Sequence, residues 1–231
     1  MKDVREMLDA WGTSLCSEVA VADLLGRNRT AHKWKVTLRI TIVRECICWR
    51  THDLLNQAAL LLNLGHSLGC RILLRSAIES VAVLVYLNEQ IRAVSRGNLS
   101  FGDFQNKSLR LLLGSKDGTT AHLAINVMTV LEKCDKKFDG ILAQYNSLSE
   151  SAHPNFEGVC MGYSRSDKET LSTSFMNNWM SMFERGNLAG IRLCILIFKS
   201  EYNDEWPAAV RELEDWLVAN DAELERTHGA G

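Results

Sequence analysis

The chain contains only two prolines, Pro154 and Pro207, among its 231 residues, so few positions can stop a helix. It lacks a Gly-rich phosphate loop, a G-x-S-x-G element and an H-E-x-x-H element, which excludes the commonest nucleotide-binding and hydrolase signatures. No run of 18 uncharged apolar residues is present, and the first residues, MKDVREMLDAWG, form no signal core. Neither a membrane span nor secretion is therefore predicted.

The net charge is only −2. A protein that coats nucleic acid without specificity needs a large cationic excess, because it must displace the counterions of many phosphates. The composition therefore disfavours that function.

The seven cysteines are odd in number and mostly lie within apolar helical patterns, which is typical of reduced thiols in a cytoplasm. Cys46, Cys48 and His52, in RECICWRTHD, are the group that most suggests a metal. On a helix Cys48 and His52 share a face, but Cys46 points about 200° away from Cys48. We therefore interpret these cysteines as core residues and predict neither a metal nor a cofactor.

Apolar residues recur at spacings of three and four along nearly the whole chain, which predicts helices. The β-branched run VTLRITIV has no turn or partner strand beside it, so we predict that it is helical too. The expected helices cover residues 1–25, 30–64 with Thr30 as its cap, 67–96, part of 97–118, a stretch from Thr119 or Thr120 to 153, and 168–202. A break is expected at residues 203–204, and Pro207 fits the first turn of a last helix. The sequence predicts an all-α bundle of six or seven helices in a single domain, 1–231, with its core over 30–202 and a C-terminal helix over 204–226.

The stretch YNSLSESAHPNFEG holds the first candidate site. Asn146, Ser149 and His153 lie on one helical face, and Pro154 ends the helix. The partial negative charge of a helix C-terminus favours an imidazolium, which suits a proton donor or a phosphate contact. The alternative interpretation is that His153 caps the last carbonyls of the helix.

A second candidate lies on the most apolar helix, where Arg71, Arg75 and Glu79 are spaced by four and Tyr86 lies two turns farther on. Unpaired buried charges are costly, so these groups must have partners. One interpretation is an intrahelical pair between Arg75 and Glu79, with Arg71 in solvent. The other is a polar pocket formed against the helix of His153.

A third candidate is the basic stretch GRNRTAHKWKVTLR, in which Trp34 lies among five cations. Cations beside an aromatic ring suit a nucleic-acid backbone and a stacked base. A solvated helix face explains the same charges, and we favour that interpretation. The cations are Arg27, Arg29, Lys33, Lys35 and Arg39.

Two stretches, LLRSAIESVAVLVYL and YNSLSESAHPN, resemble an uncharacterised family of bacterial helical proteins related to the HEPN superfamily, over roughly residues 55–160. The resemblance implies an α-helical bundle that dimerises. In active HEPN members it implies a metal-independent endoribonuclease whose motif is an arginine, four to six residues and a histidine. The superfamily occurs in toxin–antitoxin and antiphage defence systems.

By this resemblance, His153 takes the place of the motif histidine, and Asn146, with six residues between them, takes that of the arginine. Asparagine has no positive charge with which to hold a phosphate, so Arg75 or Arg71 would have to supply it. The candidate catalytic residues are therefore His153, Asn146 and Arg75. The candidate binding residues are Arg71, Glu79, Tyr86, Tyr145 and Ser149.

Two functions remain open from the sequence. One is a HEPN-like ribonuclease of a defence or toxin–antitoxin system, with His153 in acid–base catalysis. The other is a catalytically inactive helical dimer that binds RNA, a nucleotide, a small molecule or a protein through the same pocket. A homodimer is expected because helices such as the one containing GIRLCILIF offer more apolar surface than a thin bundle can cover.

Overall fold

Ten α-helices make up most of residues 2–228, the part of the chain that this computed structural model describes. The all-α prediction is confirmed. The helices are α1 (Lys2–Thr13), α2 (Val21–Arg27), α3 (Arg29–His32), α4 (Lys35–Asn63), α5 (Ser67–Ser95), α6 (Phe101–Leu113), α7 (Val127–Lys137), α8 (Ile141–Ala152), α9 (Trp179–Ser200) and α10 (Trp206–His228). Phe156–Met161 and Glu201–Glu205 are π-helical, and a hairpin consists of β1 (Ser164–Asp167) and β2 (Ser172–Phe175).

Several helix boundaries follow from local chemistry that the sequence displays. Gly65, with φ of 83°, follows the end of α4, where a left-handed residue closes the helix at little steric cost. The Ser100 hydroxyl accepts the backbone N–H of Asp103 at 3.1 Å and so caps α6. The VTLRITIV run lies inside α4, as predicted.

The single helix predicted over residues 1–25 is wrong, because α1 ends at Thr13. The hydroxyls of Thr13 and Ser14 each donate to a carbonyl three residues earlier, at 2.8 Å, and so satisfy the end of the helix. The predicted cap at Thr30 is also wrong. Asn28 caps α3 instead, because its Oδ1 accepts the N–H of Ala31 at 3.0 Å.

The helix predicted from Thr119 to His153 is two helices. The first of them, α7, begins at Val127, where Asn126 Oδ1 accepts the N–H of Met128 at 2.9 Å. Gly140, with φ of 89°, separates α7 from α8, because a left-handed residue cannot continue a right-handed helix.

The helix predicted over 168–202 begins only at Trp179, and the residues before it form the hairpin. Asp167 Oδ1 accepts the N–H groups of Glu169 at 2.8 Å and Thr170 at 3.3 Å, which turns the chain. The strands then pair antiparallel, with Asp167 opposite Ser172. The break predicted at residues 203–204 is a π-helical segment that joins α9 to α10.

The described chain divides into two compact units, each with apolar side chains buried inside it. The first unit contains the described chain up to Ser14, Arg50–Val81 and Cys134–Ile197. The second contains Leu15–Trp49, Ala82–Lys133 and the described chain from Phe198 onward. The single domain expected over 1–231 stays a prediction.

Candidate functional site

Arg71 of α5 is buried in the first unit, with only 4% of its surface accessible. Its Nε donates to Ser151 Oγ on α8 at 2.6 Å, and its Nη1 donates to Asn187 Oδ1 on α9 at 3.4 Å. Its Nη2 donates to the carbonyl oxygen and the Oγ of Ser147 at 3.0 and 3.2 Å. One guanidinium group therefore connects three helices.

The charge of Arg71 has two further partners. Glu157, in the first π-helical segment, lies 3.8 Å from its Nη2, and the Phe183 ring centroid lies 3.8 Å from its Cζ. Burial lowers the pKa of Arg71, and the Glu157 carboxylate opposes that shift. An arginine remains protonated in such surroundings, so the first unit contains a paired, buried cation.

Asn187 continues this network. Its side chain is fully buried, and its Nδ2 donates to Ser67 Oγ at 2.8 Å while its Oδ1 accepts from Arg71. Ser151 likewise accepts from Arg71 and donates to Glu157. The polar groups at the centre of this unit are thus satisfied by one another, as burial requires.

Arg75, one turn along α5, has a less buried environment, with 33% of its side chain accessible. Its Nε donates to Ser149 Oγ at 2.9 Å and its Nη2 to the Tyr145 hydroxyl at 2.5 Å. The Tyr145 hydroxyl in turn donates to Glu79 Oε1 at 2.9 Å, and Arg75 Nη2 lies 3.5 Å from the same oxygen. These side chains pair α5 with α8.

Tyr145 is held in its neutral form. Burial raises the pKa of Tyr145, and its hydrogen bond to the Glu79 carboxylate raises the pKa further, because that bond needs the phenolic proton. The nearby Arg75 opposes this only in part. The Tyr145 hydroxyl therefore keeps its proton, donates it to Glu79 and accepts a hydrogen bond from Arg75.

Two interpretations of the charges on α5 were open, an intrahelical pair with Arg71 in solvent and a polar pocket against the helix of His153, and each is correct in part. The intrahelical pair of Arg75 and Glu79 is present, but Arg71 is buried and not in solvent. The first unit brings five predicted residues together: Arg71, Arg75, Glu79, Tyr145 and Ser149. Tyr86 belongs to the second unit, where it is buried and where burial raises its pKa.

His153 and Asn146 are exposed. His153 is the C-cap of α8 in an extended conformation, with φ of −95° and ψ of 149°, as expected for a residue before proline. Its backbone carbonyl accepts the N–H of Asn155 at 2.8 Å. Within residues 2–228 neither side chain has a hydrogen bond or an ion pair, so the imidazole does not cap the last turn of its own helix.

Four residues that contact Arg71 were not predicted from the sequence: Ser147, Ser151, Glu157 and Asn187. A signal existed for three of them. Ser147 and Ser151 are spaced by four, and therefore share a helical face. Asn187 is an amide in a helix whose following residues, LAGIRLCILIF, are mostly apolar, and such a residue commonly has a buried partner.

The basic stretch is not a stacking surface, because Trp34 is buried and its Nε1 donates to Asp221 Oδ1 at 3.0 Å. Lys33 pairs with the same carboxylate at 2.6 Å, and Arg27 pairs with Glu214. These contacts lie within the second unit. They agree with the favoured interpretation that the charges belong to an ordinary protein surface.

Within residues 2–228 none of the seven cysteines forms a disulfide. The core interpretation is confirmed for Cys48 and wrong for Cys46, which is exposed on the outer face of α4. Among the described residues, no group of three His, Cys, Asp or Glu side chains could hold a metal ion. None of the helices within residues 2–228 combines the length and the hydrophobicity needed to cross a bilayer.

Comparisons with family models, with curated proteins and with solved structures found no match for this chain. The HEPN resemblance stays a prediction, and the site is interpreted from its own contacts.

Proposed function

We propose that this chain is a non-catalytic, HEPN-like helical protein of the cytoplasm that serves as an interaction module for a protein partner. The observation that supports this most is the state of Arg71. A cation that assists cleavage of a phosphodiester must be free to contact the phosphate. Arg71 is buried, and its guanidinium already donates to Ser147, Ser151 and Asn187.

Arg75 is a poor substitute for Arg71 as the cation that would contact a phosphate. Its guanidinium is more accessible, but Glu79 lies 3.5 Å away and Tyr145 and Ser149 accept two of its donors. The negative charge of Glu79 would repel a phosphate that approached this surface. Both arginines are therefore better explained as groups that hold α5 against α8.

A protein partner is favoured by the segment that follows Pro154. Large apolar side chains are exposed there at short intervals, in the first unit, and clustered exposure of this kind is typical of interaction surfaces. They are Phe156, Val159, Met161, Tyr163, Leu171, Phe175 and Met176.

The decisive experiment is an RNA cleavage assay without added metal, with the wild type, His153→Ala and His66→Ala. His66 is the matched control, because it is another exposed histidine of the first unit. We expect no cleavage by any of the three proteins. Cleavage by the wild type and by His66→Ala that is lost in His153→Ala would overturn the proposal.

One observation favours a second candidate, a HEPN-type ribonuclease or RNA-binding protein of a defence or toxin–antitoxin system. His153 and Asn146 are both exposed and unengaged within residues 2–228, at the spacing of the HEPN motif. Asn146→Arg would restore the motif arginine. A gain of cleavage in Asn146→Arg that a further His153→Ala change abolishes would support a HEPN-like site that has lost its cation.

A further inference from the structure

The hairpin of β1 and β2 is anchored firmly at its base. The N–H of Met176 donates to the Tyr163 carbonyl at 3.0 Å, and the N–H of Asn178 donates to the Gly162 carbonyl at 2.9 Å. A Cβ on Gly162 would lie 2.5 Å from the Trp179 indole, so glycine permits close packing there. The exposed residues of the hairpin therefore project from a fixed support.

β2 has an open edge. Tyr163 and Met176 form a hydrogen-bonded pair, and the alternation of an antiparallel ladder then directs the backbone groups of Ser172 and Ser174 toward β1. The backbone groups of Thr173 and Phe175 point away from β1. Within residues 2–228 no third strand pairs with this hairpin, and all four residues of β2 are exposed.

The two edges of the hairpin differ. On β1 the outward carbonyl of Ser164 accepts from the Asn178 side chain at 3.2 Å, so part of that edge is closed. The run from Leu171 to Trp179, LSTSFMNNW, contains no charged residue and no proline. Proteins usually protect an edge strand with such residues, and β2 has neither.

The apolar residues that flank β2 are unusually exposed. Leu171 is 91% accessible and Phe175 is 82% accessible. Leu171 is also the one non-glycine residue with positive φ, 50°, in the described chain, a conformation that costs about 1 kcal/mol for an L-residue. Exposed apolar side chains beside an open strand edge are typical of an interaction surface.

We propose that β2 pairs antiparallel with β2 of a second copy of this chain, around a two-fold axis at Ser174, so that two hairpins form one four-stranded sheet. This inference rests on the proposed function, since it names one protein partner of the module. In this register Thr173 faces Phe175 of the second copy, and each such pair exchanges two backbone hydrogen bonds. A β-branched residue opposite an aromatic residue is a favourable cross-strand pair.

Charge favours a second copy as the occupant of this edge. β2 itself has no charge, so a two-fold axis brings no like charges into opposition along it. Elsewhere on the hairpin the charges cancel, because Arg165 and Lys168 balance Asp167 and Glu169. Two identical hairpins can therefore approach without net repulsion, and the resulting contact is isologous.

The register is tested by a disulfide at the two-fold axis, in the full chain with the exposed Cys46 and Cys160 changed to serine. Ser174 would lie opposite itself in a non-hydrogen-bonded pair with Cα atoms about 4.5 Å apart, which a disulfide can span. We expect Ser174→Cys to form a covalent dimer under mild oxidation. The control, Ser166→Cys, places a thiol at an exposed position of β1 and should remain monomeric on a denaturing gel.

Cross-linking of Ser166→Cys to the same extent, or no cross-link with Ser174→Cys, would overturn the register. Sedimentation of the unmodified chain tests association directly. We expect a dimer at about 100 µM, and an increase of at least about tenfold in its dissociation constant in Phe175→Ser and in Thr173→Pro. Thr173→Pro removes an outward N–H and leaves the ladder with β1 intact.

A wild-type monomer at that concentration, or a dimer that neither variant weakens, would overturn the proposal. The experiments distinguish a failure of the β2 pairing from a failure of the proposed non-catalytic function. Loss of the Ser174→Cys cross-link removes the strand pairing and leaves a module with another protein partner. RNA cleavage that depends on His153 removes the non-catalytic function and leaves the dimer.

Discussion

Arg71 Nε donates to Ser151 Oγ across 2.6 Å, so a fully ionised side chain of α5 is bonded directly to α8 in the interior of the first unit. The same guanidinium reaches Asn187 on α9. A buried cation stabilises a fold only while every partner is in place, because an unpaired polar group in the interior is costly. We expect this network to set how these three helices align.

Replacing Arg71 tests that role. Arg71→Ala should lower the free energy of unfolding by about 3 to 5 kcal/mol, because it leaves Ser151 and Asn187 without their donor and the Glu157 carboxylate without its cation. Arg71→Lys should recover only part of the loss, since one ammonium cannot reproduce a planar fork of donors. Urea unfolding gives both values. Arg185→Ala, at an exposed position of α9, is the control and should change stability by less than about 0.5 kcal/mol.

Two glycines of α9 provide a matched pair. A Cβ on Gly190 would lie 2.4 Å from Gln144 Nε2 and 2.7 Å from Leu74 Cδ2, whereas a Cβ on Gly186 would meet nothing within 4 Å. Gly190→Ala should therefore destabilise the protein by about 1 to 3 kcal/mol through overpacking. Gly186→Ala should stabilise it by up to about 1 kcal/mol, because alanine favours a helix. Thermal unfolding that ranked the two variants in the opposite order would contradict this packing.

The stability of the second unit should depend on His32. Burial lowers the pKa of His32 below its usual 6.5, although Glu214, 2.8 Å from its Nε2, opposes the shift. The nearby Arg27 lowers the pKa further, and the buried Nδ1 has no hydrogen-bond acceptor within residues 2–228 for a second proton. The folded protein thus favours the neutral imidazole.

This preference of the folded protein makes its stability depend on pH. Because the unfolded chain binds the proton more readily, stability is full above about pH 6.5 and decreases as the pH falls from there toward the lower folded pKa. Urea unfolding at about pH 7.5 and about pH 5.5 should show this loss, and His32→Gln should reduce the slope. A wild-type slope that persists unchanged in His32→Gln would assign the effect to other groups.

The hydroxyl of Tyr145 should add to the stability that its buried ring supplies. Tyr145→Phe removes the bridge from Arg75 to Glu79 and should lower the free energy of unfolding by about 1 to 2 kcal/mol. The control is Tyr163→Phe, because Tyr163 packs edge-on against Trp179 with a centroid distance of 6.2 Å. Equal losses in chemical denaturation of the two variants would show that the Tyr145 bridge adds nothing.

Local patterns in the sequence were sufficient for the class of fold and for much of α4, α5 and α6. Periodic apolar residues identify helices, and Gly65 is a recognisable stop. The errors occurred where short polar side chains compete for backbone groups. Thr13, Ser14 and Asp167 all hydrogen-bond to nearby backbone and end a helix or turn the chain, and apolar periodicity does not register such bonds.

The candidate site was likewise predictable from the sequence only in part. The spacing of Arg71, Arg75 and Glu79 on one stripe is a local property of a helix, and the sequence predicted it. The depth to which each side chain is buried is a tertiary property. Arg71 bonds to both α8 and α9 and is buried, whereas Arg75 bonds to α8 and keeps a third of its side chain accessible.

By itself, the sequence determined that the chain is helical, that its cations on α5 need partners, and that His153 ends α8 beside Pro154. The tertiary structure decided that Arg71 is buried and hydrogen-bonded, while the His153 side chain is exposed and has no hydrogen bond within residues 2–228. Asn187, which accepts from Arg71, lies 116 residues away along the chain. Periodicity reports which face a side chain occupies, but a partner at that separation is chosen by how the helices pack.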